Sequence, residues 1–508
     1  MSKTFHSLRY YNYRLWFTSN LVSSTGQWMQ RVAQDWLVLT VLTTSSGFAV
    51  GITTALQFLP QLLFSVHSGL LADRFNRRHI LQLTQVFTAL TSVVMGILVL
   101  TDTAQLWHVY ALAFAAGTAN TLGTPVRQTF VSELVAPADL PNAVGLNSTA
   151  FNGARMIGPA IAGVAIAWVG TGWVFILNAV LFLVPIITLA IMRVADLREV
   201  PVTPRHKGMI REGLAYVKQR SDIVLITMVA TVISMLGFNH QLTQGVMATT
   251  VYGKGAGEYG LLGSVMAMGS LAGALLAARR SRPRVALVFG SGLAYGLCQC
   301  ILALAPTYAW YAILLVPTGL LMLTFITAAN ATIQVSTPPE MRGRVMSIYF
   351  LFYLGVTPIG APLIGWIAEH IGARWSVGIG GIGSVIAAAV AIVCAWRRWH
   401  VHVVARQAFP YVNVWGPRER AWADEQCDAG RDLCMALEQA YAGGGQPGPA
   451  GRVLYGTMDA EAARYAAHEM GERLTHPYYW KRRYRERIRP KFPRVTRVRG
   501  PRDEENEG

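Results

Sequence analysis

The chain has 508 residues, of which 53% are hydrophobic and only 14% are charged, and its formal net charge is +17. Soluble proteins carry charge on about 25% of their residues, so this deficit excludes an ordinary soluble domain and indicates an integral membrane protein. The Lys and Arg residues fall in short loops between apolar segments and in the C-terminal region, which argues against a nucleic-acid partner. The 5 Cys residues form no disulfide framework, and we interpret them as free thiols.

Twelve apolar segments are each long enough to cross a bilayer, which takes roughly 20 residues. They predict spanning helices over residues 14–42, 47–72, 79–100, 105–131, 143–168, 171–192, 223–251, 258–278, 285–304, 308–335, 345–369 and 375–396. The N-terminal sequence has no secretory cleavage pattern, so we expect the first span to be retained. The predicted fold class is an all-α integral membrane protein with twelve transmembrane helices.

Basic residues occur at every second turn between these segments. The turns at 101–105, 169–173 and 305–308 contain no Lys or Arg, whereas the loops at 74–78, 193–220, 279–284, 342–344 and 397–398 are basic. The positive-inside rule therefore places the basic loops and both termini in the cytoplasm. We expect a multi-pass protein of the inner (cytoplasmic) membrane.

The second half of the chain repeats the first. A shift of 202 residues aligns Pro137 with Pro339, Gly158 with Gly360, Gly163 with Gly365, Gly170 with Gly372 and Gly117 with Gly319. This predicts a parallel repeat of two six-helix bundles, residues 1–192 and 223–398, joined by a cytoplasmic loop at 193–222. Within that loop, residues 210–220 predict an amphipathic helix on the membrane surface.

Residues 399–508 contain no spanning segment and predict a cytoplasmic tail of unknown role. Helical spacing of apolar residues occurs at 432–441 and 459–474, and residues 478–500 are basic and aromatic. Two interpretations remain open: the basic end contacts anionic lipid head groups, or the tail is solvated and packs partly on the bundle.

Several motifs resemble those of a known family. The loop GLLADRFNRRH (69–79) and a weaker copy, GALLAARRSRPR (273–284), together with twelve spans, resemble the major facilitator superfamily over residues 10–398. ARMIGPAIAG (154–163) resembles the motif of the superfamily's exporters at Gly158, Pro159 and Gly163, although alanines replace two of its glycines. LPNAVGLNS and RGRVMS resemble the branch that includes the enterobactin exporter and macrolide efflux pumps.

The resemblance implies a gating role for the first loop. Its members would be Gly69, Asp73, Arg74, Arg77, Arg78 and Glu133. In the family, the matching carboxylate lies against the N-terminus of the eleventh span, which here is expected to begin near residues 344–347, and an anion is favourable at such a site. The alternative is a charged turn that only fixes the topology.

Charged residues inside a membrane span are costly and are candidates for function. Arg31 and Asp35 are four residues apart in the first span, so they either neutralise each other or leave Asp35 to carry a coupling proton. Arg155, in the fifth span, either holds an anionic substrate or pairs with Asp35. His240 lies in the polar break FNHQLTQ (238–244) and either titrates near neutral pH or is a neutral, hydrogen-bonded residue.

Further polar residues face the predicted interior of the bundle. The candidates for the substrate cavity are Arg31, Gln57, Gln61, Asn120, Arg155, Asn239, Gln241, Gln244, Asn330 and Gln334. Trp16, Trp28, Trp36, Phe58 and Phe325 either line the cavity or lie at the membrane interface, and we favour the interface for most of the tryptophans.

No catalytic, nucleotide-binding or metal-binding motif is present, so we expect no enzyme, cofactor or metal. The resulting prediction is a proton-coupled exporter of a drug-like or siderophore-like molecule, acting as a monomer by alternating access, with the bilayer, protons and a small molecule as partners. One alternative is an importer of a small metabolite on the same fold. Another is a membrane-anchored protein whose tail binds a partner.

Overall fold

The computed structural model of the protein describes residues 3–198, 209–278, 285–399, 402–404 and 411–413. Helices make up almost all of this part of the chain. They are α1 Tyr11–Leu37, α2 Gly47–Arg74, α3 Arg77–Leu100, α4 Leu106–Leu134, α5 Leu140–Ile191, α6 Met209–Gln219, α7 Ser221–Val232, α8 His240–Val246, α9 Ala256–Ala278, α10 Val285–Ala303, α11 Tyr308–Ser336, α12 Pro339–Gly355, α13 Thr357–His370 and α14 Ala373–Trp399. Short 3₁₀ turns form at Lys3–Arg9, Pro137–Asp139 and Val194–Asp196, and π-helical segments at Val38–Leu42, Ile233–Gly237 and Met247–Val251.

Two strands follow the last helix. β1 (His402–Val404) pairs antiparallel with β2 (Tyr411–Asn413). The sequence did not predict them, because runs of three residues fall below any periodic signal. The predicted helical stretches at 432–441 and 459–474 and the basic end at 478–500 lie outside the described residues, as do residues 199–208 of the central loop and 279–284 of the second copy of the loop motif.

Within the described residues, nine helical stretches are long and apolar enough to cross a membrane. The stretch that contains α5 is too long for one crossing, since 52 helical residues extend about 78 Å against roughly 30 Å of hydrocarbon. Gly170 interrupts it with φ 81° and ψ 166°, a conformation that glycine adopts without steric cost. The predicted turn at 169–173 is therefore confirmed as a break at a single glycine.

Two predicted spans are not continuous helices. The predicted segment 223–251 divides into α7 and α8 with a π-helical segment after each, and the chain leaves helical geometry at Phe238 and Asn239. The predicted segment 345–369 divides into α12 and α13 at Val356, immediately before the paired prolines Pro358 and Pro362. Proline removes a backbone donor and obstructs the preceding turn, which accounts for the second break.

We name the two ends of the bundle by their residues. The basic end carries Arg77, Arg78, Glu133 and Arg193, and the opposite end carries the turns at 43–46, 101–105 and 252–255. At the basic end, the side chains of Tyr13, Trp16 and Phe130 form a buried core between α1 and α4.

Asp139 anchors the N-terminal segment at the basic end. Its carboxylate accepts hydrogen bonds from Tyr10 and Arg9, both at 2.7 Å. The Tyr10 hydroxyl, with Arg9 beside it, lowers the pKa of Asp139 from its usual value. The carboxylate therefore stays ionised at neutral pH, and the segment before α1 is attached to the start of α5.

Repeated glycines bring the two halves into contact at the opposite end. A Cβ atom at Gly163 of α5 would lie 2.5 Å from the carbonyl oxygen of Ala256 at the start of α9. The glycine 202 residues later, Gly365 of α13, is equally close to α2, where its Cβ would lie 2.3 Å from the oxygen of Gly47. Such distances exclude any side chain, so α5 packs on α9, and α13 on α2, with their backbones in contact.

The predicted amphipathic helix of the central loop is observed as α6. Glu212 on this helix forms an ion pair with Arg344 of α12. Gly213 faces the same helix, since its Cβ would lie 3.0 Å from Ile348. The central loop is therefore attached to α12 through α6.

Candidate substrate cavity

A polar cavity of about 70 Å³ lies between α1, α2, α3 and α4. Its lining is formed by Gln27, Gln30, Arg31, Gln34, Gln57, Phe58, Gln61, Thr88, Ala116, Gly117, Asn120 and Thr121. Of the predicted cavity residues, Arg31, Gln57, Gln61 and Asn120 are brought together here. Gln27, Gln30 and Gln34 were missed, although their spacing of three and four residues places them on one face of α1.

The amide side chains bond to one another across the helices. Gln57 Nε2 donates to Gln34 Oε1 at 2.9 Å, and the Ser92 hydroxyl donates to Gln30 Oε1 at 3.1 Å. Gln34 Nε2 is buried and has no partner among the described residues. This amide donor is therefore available to a molecule in the cavity.

A glycine contact brings α4 to the cavity. A Cβ at Gly117 would lie 2.3 Å from the backbone oxygen of Gln57. Only glycine permits this approach of α4 to α2, and it places Asn120 and Thr121 at the cavity wall.

Two arginines approach the ring of one tryptophan beside this cavity. The guanidinium carbon of Arg31 lies 5.1 Å from the Trp28 ring centroid and that of Arg155 lies 5.6 Å from it. Arg31 also lies 5.7 Å from the Phe58 ring. These distances are typical of cation–π contacts. Trp28 therefore belongs to the interior and not to the membrane interface, and the same correction applies to Trp16, which is buried. Phe58 lines the cavity, one of its two predicted locations.

Neither of the predicted pairs with Asp35 forms. Among the described residues, the ion pairs within 4.0 Å include neither Arg31 nor Arg155. Asp35 instead accepts a hydrogen bond from Tyr259 of α9 at 3.2 Å, and Trp36 stacks on the same ring at 6.1 Å. Spacing along α1 places Arg31 and Asp35 on one side of the helix, but Arg31 contacts the rings of Trp28 and Phe58, and Asp35 contacts Tyr259.

The Asp35–Tyr259 bond joins the two halves of the chain. Asp35 is 4% exposed and Tyr259 is 2% exposed, so the carboxylate lies away from bulk water. The Tyr259 hydroxyl also approaches the backbone oxygen of Gln241 at 3.2 Å. Because a hydroxyl has one proton to donate, this proton is shared between Asp35 of α1 and Gln241 of α8.

His240 is held inside the second half. Its Nε2 lies 2.7 Å from the Tyr295 hydroxyl, which donates to the carbonyl oxygen of Gly237 at 2.7 Å. Because a hydroxyl has one proton to donate, His240 donates from Nε2 to Tyr295. These contacts favour the hydrogen-bonded alternative for His240 and stabilise the break before α8.

The remaining predicted cavity residues are dispersed. Asn239 donates to Met235 O at 2.8 Å, and Gln244 lies 3.1 Å from the Met266 sulfur. Both side chains therefore form contacts within the second half. Gln241 and Asn330 each have a buried polar atom without a partner among the described residues. Gln334 is exposed near the end of α11 and does not line the cavity.

Part of the predicted gating network is visible at the basic end. Arg77 forms an ion pair with Glu133 at 2.5 Å, joining α3 to α4. Arg78 donates to the backbone oxygens of Leu189 and Ala190 at the end of α5. Gly69, Asp73 and Arg74 lie in α2, but their side chains are outside the described ones. The expected start of the eleventh span near 344–347 was too late, since α12 begins at Pro339.

The glycines of the exporter-like motif serve close packing. A Cβ at Gly158 would lie 2.7 Å from the Trp28 Cβ, and the Cβ of Gly260 would lie 2.2 Å from the oxygen of Pro159. Gly163 contacts α9 as described above. The motif therefore places α5 against both α1 and α9, and sets Arg155 beside Trp28.

Two further charged residues escaped the sequence analysis. Arg127 lies within α4 and takes part in no ion pair or hydrogen bond among the described residues; it was overlooked because it stands near the end of its predicted span.

Glu369 of α13 accepts hydrogen bonds from the Ser46 hydroxyl at 2.5 Å and from the Phe48 backbone at 3.1 Å. It thereby joins α13 to the start of α2 at the opposite end.

Comparison with known proteins gives consistent matches. The profile of the family described as transmembrane secretion effector matches residues 2–416. A staphyloferrin A transporter of Staphylococcus aureus is 23% identical over 379 residues, which is 73% of this chain and 93% of that protein. Macrolide efflux protein A of Streptococcus pyogenes is 21% identical over 395 residues, which is 76% of this chain and 96% of that protein.

Solved structures with the same fold include two transporters of different function. A bacterial homologue of the human lysosomal transporter Spinster, in an inward-facing and unoccupied conformation, gives a TM-score of 0.60 at 15% identity, covering 76% of this chain and 96% of that one. A D-xylose–proton symporter gives a TM-score of 0.60 at 15% identity, covering 74% and 96%. At this identity the likeness concerns the fold alone.

Proposed function

The chain belongs to the transmembrane secretion effector family of the major facilitator superfamily and is a small-molecule transporter, not an enzyme; from this premise we propose that it exports its cargo in exchange for protons. The proposal includes twelve spans in two six-helix bundles. α5 supplies two of them on either side of Gly170, α7 with α8 supplies one, and α12 with α13 supplies one. α1 and α4 complete the set, although their polar residues lower their hydropathy.

The observation that carries the proposal is the Asp35–Tyr259 bond beside the polar cavity. Hydrogen bonds to an ionised acceptor are roughly twice as strong as neutral ones. Protonation of Asp35 therefore weakens the contact between the halves, whereas loss of the proton strengthens it. Proton uptake at this one carboxylate is thereby coupled to separation of the halves, which is the step that alternating access requires.

The conformation supports loading from the basic end. At the opposite end the halves touch at Gly163, Gly260 and Gly365. We propose that these close contacts block the path between the halves at that end, so that cargo enters from the basic end. With the basic end in the cytoplasm, as the positive-inside rule requires, this is an inward-facing state that admits cargo from the cell.

The cargo class is proposed from the names of the relatives and from the cavity. One relative is named for staphyloferrin A and another for macrolides. From these names we propose a siderophore-like or drug-like organic molecule as the cargo. The amide groups of the lining supply donors and acceptors for a polar cargo.

Everted membrane vesicles with an imposed pH gradient test the proposal. The wild-type protein should accumulate staphyloferrin A or erythromycin inside acidic vesicles, and Asp35→Asn should abolish that accumulation while downhill exchange continues. Asp102→Asn is the matched control, because Asp102 is exposed in the turn between α3 and α4. Full gradient-driven accumulation by Asp35→Asn would exclude Asp35 as the proton carrier.

The same vesicles separate the two alternatives. An importer would move cargo out of acidic everted vesicles instead of accumulating it. A protein whose function resides in its tail would keep transport but lose its cellular role when residues 405–508 are removed.

A further inference from the structure

We propose that the cargo is an organic anion and that Arg31 and Arg155 together bind its carboxylate or other oxyanion group beside Trp28. This inference deepens the proposed function and depends on it. It concerns the chemical class of the cargo, on which the two named relatives give no common answer.

Two guanidiniums from two helices lie beside one aromatic ring. Both guanidinium carbons lie within 5.6 Å of the Trp28 ring centroid. Gly158 allows α5 to pack directly on Trp28, and Arg155 precedes that glycine by one helical turn. Arg31 follows Trp28 by one turn on α1. An oxyanion placed between the two guanidiniums would receive donors from both helices, in the planar geometry that arginine offers to carboxylates.

The local charge balance requires an anion. In the described part of the chain neither arginine has a carboxylate within 4.0 Å, and the acid on the same helix, Asp35, is hydrogen-bonded to Tyr259. Arg31 and Arg155 also interact unfavourably with each other. Asp35 still attracts Arg31 from beyond 4.0 Å, so the three charged groups together carry one excess positive charge. Such a charge inside the membrane is unfavourable, and a bound anion would neutralise it.

The arginines are accessible to a ligand. Arg31, Arg155 and Trp28 are each only partly buried, and Arg31 lines the polar cavity. Within that cavity, Gln34 Nε2 is a buried donor without a partner among the described residues. It offers a donor to a polar part of the cargo that extends from Arg31 into the cavity. The rings of Trp28 and Phe58 provide an apolar surface for the organic part of the anion.

The test uses the purified full-length protein and matched pairs of charged and uncharged probes. Benzoate is compared with benzamide and citrate with trimethyl citrate by titration calorimetry, and inorganic phosphate serves as a third arm. We expect at least one of the two organic anions to bind the wild type, at least tenfold more tightly than its uncharged counterpart. Arg31→Gln and Arg155→Gln should each weaken that binding at least tenfold, and Arg155→Lys should weaken it less than Arg155→Gln.

Arg14→Gln is the control, because Arg14 is an exposed arginine on the same helix and should bind the anions as the wild type does. Only variants that remain monodisperse are compared, and Arg155→Lys keeps the test valid if Arg155→Gln does not fold. Binding of neither organic anion to the wild type, binding of phosphate alone, or anion binding unchanged in both glutamine variants would each overturn the inference.

The inference and the proposed function can fail separately. Proton-driven export of erythromycin that persists in Arg155→Gln, in a protein that binds no anion, would refute the anion site and leave the exporter intact. Arginine-dependent anion binding in a protein without proton-driven accumulation would refute the exporter and leave the anion site intact.

Discussion

At the scale of single residues, tertiary contacts decide which charged groups meet. Arg31 and Asp35 have the spacing of an ion pair on a helix, yet Arg31 turns to Trp28 and Phe58 while Asp35 turns to Tyr259. Phe58 and Tyr259 come from α2 and α9, far away in the sequence, so local spacing could not identify them; Trp28, by contrast, lies one turn from Arg31 on α1. The sequence did identify both residues as charges within a membrane span, and this position alone made them candidates for function.

The Tyr259 hydroxyl provides a direct test of the contact between the halves. Tyr259→Phe removes the donor to Asp35 and keeps the ring that stacks on Trp36. A hydrogen bond to a charged group contributes about 1.5 kcal/mol or more, so the equilibrium should shift by about tenfold towards the state with the opposite end open. The shift is measured from spin-label distances between residues 103 and 371, which are exposed at the opposite end of the first and second halves.

Tyr252→Phe is the matched control for that measurement. The Tyr252 hydroxyl donates to Ala305 within the second half, at 3.0 Å, so its loss should leave the distance distribution unchanged. An unchanged distribution in Tyr259→Phe as well would show that the Asp35 bond does not hold the halves together.

At the scale of elements, the positions of glycine and proline explain which helix breaks the sequence predicted and which it missed. The break at Gly170 was predicted because a glycine-containing turn separates two apolar segments. The division of the eleventh predicted span into α12 and α13 was missed, since prolines are tolerated within membrane helices and their effect depends on neighbouring helices. The lining of the cavity by Gln27, Gln30 and Gln34 was also missed, although their spacing of three and four residues is a helical signal that could have identified them.

Glycine contacts between helices predict the outcome of single methyl additions. Gly163→Ala would place a Cβ 2.5 Å from the oxygen of Ala256, so α5 and α9 must separate, and we expect transport to fall at least tenfold. Gly153→Ala on the same helix meets no atom within 4 Å and should keep wild-type transport. Vesicle uptake at equal protein content decides between the two. Equal activity of both variants would mean that close α5–α9 contact is not needed in the cycle.

At the scale of the whole molecule, the repeat read from the sequence corresponds to repeated contacts. Gly163 and Gly365 are 202 residues apart, and each lies against a helix of the other half. The hydrophobic pattern therefore predicted the membrane class and most helix positions, because both depend on residues close in sequence. It could not predict the site at Trp28, because that site is made from side chains of three helices.

The proposed orientation is tested by labelling single cysteines. In a protein without native thiols, Thr103→Cys should react with an impermeant maleimide added outside intact cells, whereas Lys207→Cys should react only after the membrane is opened. The basic loops at 74–78 and 193–220 place these two positions on opposite sides. Labelling of position 207 in intact cells would reverse the orientation and, with it, the direction of loading.

The most direct test of proton-coupled export is the proton movement that accompanies cargo. Purified protein in liposomes without an imposed gradient is given a cargo gradient, and a pH-sensitive dye reports the lumen. With proton exchange, protons enter the lumen as cargo leaves it, and Asp35→Asn transports cargo without changing the internal pH. Cargo movement by the wild type without proton movement, or proton movement retained in Asp35→Asn, would contradict it.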